Sequence, residues 1–201
     1  MPPLNHAVLS ASSAYRWLEC PPSALATADI PDETTIYAQE GSAAHEMAEY
    51  KIRWHLGAKD LAPPNVGNLN AEEIDRYTDS YAYYATDKIE TIRKICPDAI
   101  VMVEQRLDFS NYVKDGFGTG DLVIVADDVL QVIDFKYGKG VTVSAELNPQ
   151  MMLYALGALN LYGYLYDIKT VKTAIVQPRL DNISEWEISV DELLEWAENT
   201  L

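Results

Sequence analysis

Apolar positions recur along this chain in two rhythms, and the rhythm changes near residue 98. Residues 10–19 (SASSAYRWLE) predict a short capped helix that stops near Cys20-Pro21-Pro22, followed by a proline-bounded loop to about Asp32. Between residues 37 and 56, Ala43, Ala44, Met47, Ala48 and Ile52 recur at helical spacing, Gly41 is the one interior breaker and Gly57 supplies the stop. The stretch Ala62-Pro63-Pro64-Asn65-Val66-Gly67 reads as a loop, and residues 71–95 as a second long helix closed by Pro97.

Beyond that point β-branched residues dominate. Residues 100–107 (IVMVEQRL), 119–126 (TGDLVIVA) and 129–136 (VLQVIDFK) predict three strands, the last two joined by a tight turn at Asp127-Asp128. Asn148-Pro149 offers an N-cap and a first-turn proline for a helix reaching about Tyr164. Residues 170–177 and 184–190 predict two further strands, with turn chemistry at Asp181-Asn182, and 191–200 a closing helix. This order predicts a mixed α/β (α+β) sandwich. No repeat or low-complexity tract divides it, so we expect one domain over 1–201, mainly helical over 1–97 and sheet-based over 98–201.

Composition narrows the class. At 48% hydrophobic and 23% charged residues, the chain resembles an ordinary globular protein rather than a disordered one. No apolar run is long enough to cross a bilayer, and the Met1–His6 segment lacks the basic-then-apolar pattern of a secretory signal. Two cysteines, Cys20 and Cys96, are too few for a disulfide framework, so a reduced, cytoplasmic setting is expected. The formal charge of −16 opposes DNA binding by the body as a whole, because phosphate neutralisation supplies much of such affinity. Lys114, Lys136 and Lys139 lie close in sequence and could form a local basic rim, or be ordinary solvated lysines.

The chemistry concentrates where two strands end. Asp134 and Lys136, two residues apart, share one face of the third strand. Asp121 opens the preceding strand after Gly118-Thr119-Gly120, and a hairpin turning at Asp127-Asp128 brings it beside Asp134. A surface ion pair would explain Asp134 and Lys136 alone. Two carboxylates at the edge of an apolar sheet, however, are costly to desolvate unless they are paired or grip a cation. Clustered oxygen ligands suit Mg²⁺ or Mn²⁺, which can activate water and stabilise charge on a phosphodiester.

The order of Gly118-Thr119-Gly120-Asp121, a hairpin, Asp134-Phe135-Lys136, then Gln150 and Tyr154 on the next helix resembles the RecB-like, phage-associated exonuclease branch of the PD-(D/E)XK superfamily. Glu40-Gly41-Ser42-Ala43-Ala44-His45 is similar to that branch's G-x-x-x-H helix, and Ser10–Pro22 to its N-terminal S-x-S…C-P segment. The resemblance spans roughly residues 10–160. It implies a restriction-endonuclease-like core, a central mixed sheet flanked by helices, and a Mg²⁺- or Mn²⁺-dependent deoxyribonuclease, an exonuclease in recombination or DNA processing. It further implies His45, Asp121 and Asp134 as metal ligands with the Phe135 carbonyl. Lys136 would position or activate the attacking water. Gln150 and Tyr154 would support the site or contact DNA, beside Gly120, and Glu104 on the first strand would have a supporting role. The implied partners are DNA and a single-strand annealing protein, in a bacterial host cytoplasm if the protein is phage-derived; a homo-oligomer is compatible with it.

Some members of that group carry a four-iron cluster on one N-terminal and three C-terminal cysteines. Cys20 matches the first, but there is no C-terminal triad, so no iron–sulfur centre is expected in this chain. His45-Glu46 lacks the second histidine of a zincin helix, and His6 and His55 form no ligand pattern. Tyr77, Tyr81 and Tyr84 recur at helical spacing and are expected to pack in the core rather than stack on bases. The competing expectation is a catalytically silent, nuclease-like module that binds DNA or a recombination partner.

Overall fold

The structure, a computed structural model, describes residues 7–26 and 35–201. A 3₁₀ turn at Ala11–Ser13 leads into α1 (Ala14–Glu19) and the one-turn α2 (Ser23–Ala26). Two long helices follow, α3 (Ile36–His55) and α4 (Ala71–Ile95). Then come β1 (Ile100–Asp108), β2 (Phe117–Ala126), β3 (Val129–Phe135), α5 (Pro149–Tyr162), β4 (Thr170–Gln177), β5 (Asn182–Ser189) and α6 (Val190–Thr200).

Local chemistry sets the helix ends. The Thr35 hydroxyl accepts from the Ala38 N–H to start α3, and Gly57, at φ +110°, turns the chain away after it. Asn70 caps α4 by accepting from the Glu73 N–H, with Glu72 and Glu73 in the first turn and Arg93 and Lys94 in the last, as the helix dipole favours. Asn148 accepts from the N–H groups of Gln150 and Met151 ahead of Pro149, which opens α5. A reciprocal Ser189–Glu192 capping box starts α6.

The five strands form one mixed sheet in the order β1-β2-β3-β4-β5, with β3–β4 parallel and the other pairs antiparallel. The parallel pair requires a crossover, and α5 lies in it. One sheet face presents Val123, Val125, Leu130, Val132, Val171 and Ile175 to α1, α5 and α6. The opposite face presents Leu122, Ile124, Ile133, Phe135, Ala174 and Val176 to α3 and α4. Strands covered on both faces read as continuous apolar runs, which is the texture seen in 122–126 and 129–133. Helix α5 is buried from Pro149 through Ala158, and its Gly157 seats it against β1, where a Cβ would stand 2.9 Å from that of Leu107.

Several expected boundaries shift. The helix expected over 10–19 splits into a 3₁₀ turn and α1, and the loop expected after Cys20 contains α2 before passing into residues 27–34, outside the described residues. Helix α5 stops at Tyr162, not 164. Strand β3 ends at Phe135, although the Lys136 N–H still donates to the Val176 carbonyl. Strand β5 begins at Asn182, directly after Asp181 turns in the left-handed region at φ +51°. No helix among the described residues is long and apolar enough to cross a membrane.

Candidate metal centre

The site forms where the central ladders open. Strands β1 and β2 pair Val103 with Leu122 and Gln105 with Gly120, and skip the row between them, Glu104 and Asp121. Strands β2 and β3 pair down to Leu122–Ile133 and stop one row short of Asp121 and Asp134. Glu104, Asp121 and Asp134 therefore occupy one row across three neighbouring strands. Two causes of the opening are visible. Glu104 takes a left-handed backbone at φ +53°, sparsely populated for a residue with a side chain. The Phe135 N–H donates to Asp121 Oδ2 at 2.6 Å instead of to a strand carbonyl. Arg53, on α3, donates to the Val103 carbonyl at 2.9 Å and steadies β1 beside the break.

Helix α3 brings His45 over this row. Its Nδ1 lies 3.2 Å from Asp121 Oδ1. One ligand atom each from His45, Glu104 and Asp121 fall within 4.8 Å of one another. These groups line a narrow crevice with Glu49, Tyr81 and Phe135. His45 is 38% exposed at its side chain, so the group is reachable from outside. On that side an open cleft of about 380 Å³ is walled by Gly41, His45, Lys136, Gly138 and Gly140.

Asp134 belongs to an adjoining network. Its Oδ1 accepts from Gln150 Nε2 at 3.0 Å, and its Oδ2 lies 2.9 Å from Lys136 Nζ, a charge contact rather than an aligned hydrogen bond. Lys136 Nζ donates to Gln150 Oε1 at 2.9 Å, and Gln150 Nε2 also reaches the Tyr154 hydroxyl at 3.2 Å. Gln150 thus holds acid and base in register from α5, one helical turn below Tyr154. Gly118 makes room for that tyrosine: a Cβ there would stand 2.6 Å from its ring. Gly120 is similarly confined, with Leu107 Cδ1 2.9 Å from where a Cβ would sit.

The electrostatics follow from crowding acids in a partly dry place. Burial, then the neighbouring Asp121, lifts Glu104 from 4.5 to about 7, against the pull of His45 and Arg53. Burial opposes a charged His45, but Asp121, with help from Asp134 and Glu104, more than reverses this and raises it to about 9. Burial also lifts Asp134, which Lys136 draws back only in part. Lys136 is raised despite its burial, because Asp134 favours the ammonium form. Burial and the crowding of these acids drive Glu104 and His45 toward their protonated forms.

Of the expected metal ligands, His45 and Asp121 converge. Asp134 stays with Lys136 and Gln150, outside the three-residue group, and the Phe135 backbone meets Asp121 through its N–H. Glu104, expected only to support, stands inside the group. Its position was visible as an acid in an apolar strand, but only the register places it opposite Asp121. Gln150 and Tyr154 are buried, which fits support of the site better than contact with DNA. Tyr81 is core, as expected, stacked on Phe135 with ring centroids 4.6 Å apart, yet it also lines the crevice; Tyr77 and Tyr84 are only half-buried. Lys114 lies apart from the site, in an apolar groove with Trp17, Leu25 and Tyr112, so the basic rim expected from sequence loses that member. His55 pairs with Glu90 at 3.3 Å, and His6 lies outside the described residues.

A solved structure described as "Crystal structure of SSO0001" is 16% identical to this chain, covering 93% of it and 85% of its own length, with a TM-score of 0.25. A superposition that loose supports no conclusion about fold or site. Residues 6–201 match DUF2800, a family described as "Protein of unknown function", and the chain belongs to that family.

Proposed function

We propose that this protein is a divalent-metal-dependent deoxyribonuclease with a PD-(D/E)XK core, acting at DNA ends in recombination or processing. The observation that carries this reading is the convergence of His45, Glu104 and Asp121 within 4.8 Å, next to the Asp134–Lys136 pair. The donor set, one imidazole and two carboxylates, fits Mn²⁺ and, less fully, Mg²⁺, since carboxylates suit both and imidazole favours the transition metal. The protons that Glu104 and His45 hold are those a cation would displace. When bound, the cation supplies an acidified water and offsets charge building on the phosphate.

The chain's own residues supply the rest. Lys136, protonated and 30% exposed at its side chain, faces the open cleft and can hold a phosphate oxygen or orient the attacking water. Because it keeps its proton, it acts as a cation rather than as a base. Asp134 and Gln150 fix the lysine's position, and Tyr154 fixes Gln150. Gly138 and Gly140 line the cleft without side chains, which leaves room for a sugar–phosphate backbone beside Lys136. With a net charge of −16, approach of DNA would depend on Lys136 and a bound cation at this cleft.

Purified protein given Mn²⁺ or Mg²⁺ is expected to shorten linear DNA, and Asp121→Asn and Lys136→Ala are expected to do so far more slowly. Wild type as inert as Lys136→Ala on single- and double-stranded linear DNA with both metals would refute the nuclease. The charge of −16 favours a second reading, a silent module that binds DNA or a recombination protein such as a single-strand annealing partner. Calorimetry separates the two: Mn²⁺ binding that Asp121→Asn abolishes supports the enzyme, and a wild type that takes up no Mn²⁺ supports the module.

A further inference from the structure

Helix α4 contributes Tyr81 to the crevice, beside the Phe135 ring that His45 also meets. The residue is 1% exposed, and its hydroxyl has no hydrogen-bond partner among the described residues. Buried phenols nearly always find one, because an unpaired polar atom in a dry interior is costly. The ring itself is well used: it stacks on Phe135 at an interplanar angle of 22°. A phenylalanine would pack equally well there and would leave nothing unsatisfied. The oxygen is therefore the part of the side chain that packing does not account for.

Its surroundings indicate what it awaits. The crevice that Tyr81 lines is walled by His45, Glu49, Glu104 and Asp121, so every titratable neighbour but the imidazole is an acid. Two of these acids are already engaged, Asp121 with His45 and the Phe135 N–H, and Glu49 with Arg53. A phenol retains its proton at neutral pH and so offers a donor. A donor facing a group of metal-ligating oxygens suits a water held on the cation, or a ligand carboxylate turned toward it on binding. Partners of this kind fix the orientation of what the metal carries.

We propose that the Tyr81 hydroxyl is a positioning donor of the metal centre, donating to a water or carboxylate held on the bound cation. This rests on the metal reading above and adds a residue to it from a helix that carries none of the ligands.

The test is Mn²⁺ titration by calorimetry of wild type, Tyr81→Phe and Tyr84→Phe, with thermal melts of each in the presence of Mn²⁺ or chelator. Tyr84 lies on the same helix and bonds Glu185, so its variant reports generic hydroxyl loss. Tyr81→Phe is expected to melt at or above wild type in chelator, to bind Mn²⁺ about 10-fold more weakly, and to gain less from Mn²⁺ on melting. Tyr84→Phe is expected to keep wild-type affinity. Equal Mn²⁺ affinity in wild type and Tyr81→Phe overturns the proposal and leaves the metal site standing. A Tyr81→Phe melt lowered equally with and without Mn²⁺ shows a structural hydroxyl and overturns it too. A wild type that binds no Mn²⁺ removes both the metal reading and this one.

Discussion

The β2–β3 hairpin carries four aspartates, two at each end, and the two ends treat them oppositely. Asp127 and Asp128 form the turn, exposed, with Asp127 in the left-handed region at φ +50°. Short polar side chains tolerate that conformation and stay hydrated, so their carboxylates cost little. Asp121 and Asp134 sit at the open end, 9% and 4% exposed, where the ladder has parted. There each carboxylate must find a partner, and the partners come from distant segments: His45 and the Phe135 N–H for one, Lys136 and Gln150 for the other. One residue type thus serves as turn former and as candidate ligand within one hairpin. Burial and the supply of partners make the difference.

That contrast can be broken most directly at Asp121. Asp121→Asn is expected to abolish detectable Mn²⁺ binding and cut nuclease activity on the order of 10³-fold, as several kcal/mol of charge stabilisation are lost. Unchanged Mn²⁺ uptake in a calorimeter would show that Asp121 is not a ligand. Lys136→Ala comes next. It strips the buried Asp134 of its cation, and urea melts are expected to show about 1–3 kcal/mol lost, less than for a fully buried pair because the lysine is partly exposed. Activity should fall about 10²-fold with Mn²⁺ affinity little changed.

Gly118→Ala probes the open end through packing alone. Its Cβ would meet the Tyr154 ring, and a stability loss of about 1–3 kcal/mol is expected in urea melts. Full stability in that variant would show that the α5–β2 contact is slack.

The acids also set a pH signature for the metal-free protein. Glu104 binds its proton more tightly folded than unfolded, so its contribution is lost as pH rises from about 4.5 through 7. His45 does likewise, its stabilisation fully present below 6.5 and lost as pH rises through about 9. Melting temperature in chelator should therefore decline across both windows, and Glu104→Gln should flatten the lower one. A wild-type curve flat from pH 5 to 9 would contradict the crowding of these groups. At the turn, Asp127→Asn should change stability by less than about 0.5 kcal/mol, as measured by urea melts.

Much of this architecture was legible because local rules wrote it. The cap at Asn148, the stop at Gly57 and the turn at Asp127 lie in the residues themselves, and the β-branched runs of β2 and β3 announce strands. The hairpin alone brought Asp121 beside Asp134. The α2 turn was not legible, since Ser23–Ala26 is too short to show a period. The grouping of His45 with Glu104 depended on contacts across more than fifty residues, and no local pattern reports these. Lys114 shows the reverse error: closeness in sequence suggested a shared rim, but it lies in a separate groove.

The sequence by itself determined the long helices and the strands, where the central hairpin turns, and that acids and a lysine end two apolar strands. Those are matters of period, propensity and turn chemistry, decided over a few residues. Only the tertiary structure decided which acids share a cation-sized space. It opened the ladder at Glu104, set α3 above the gap and brought Tyr81 into the crevice wall. The physical reason is that register and helix placement are fixed by burying both sheet faces at once, a condition imposed by the whole core and by no single stretch of chain.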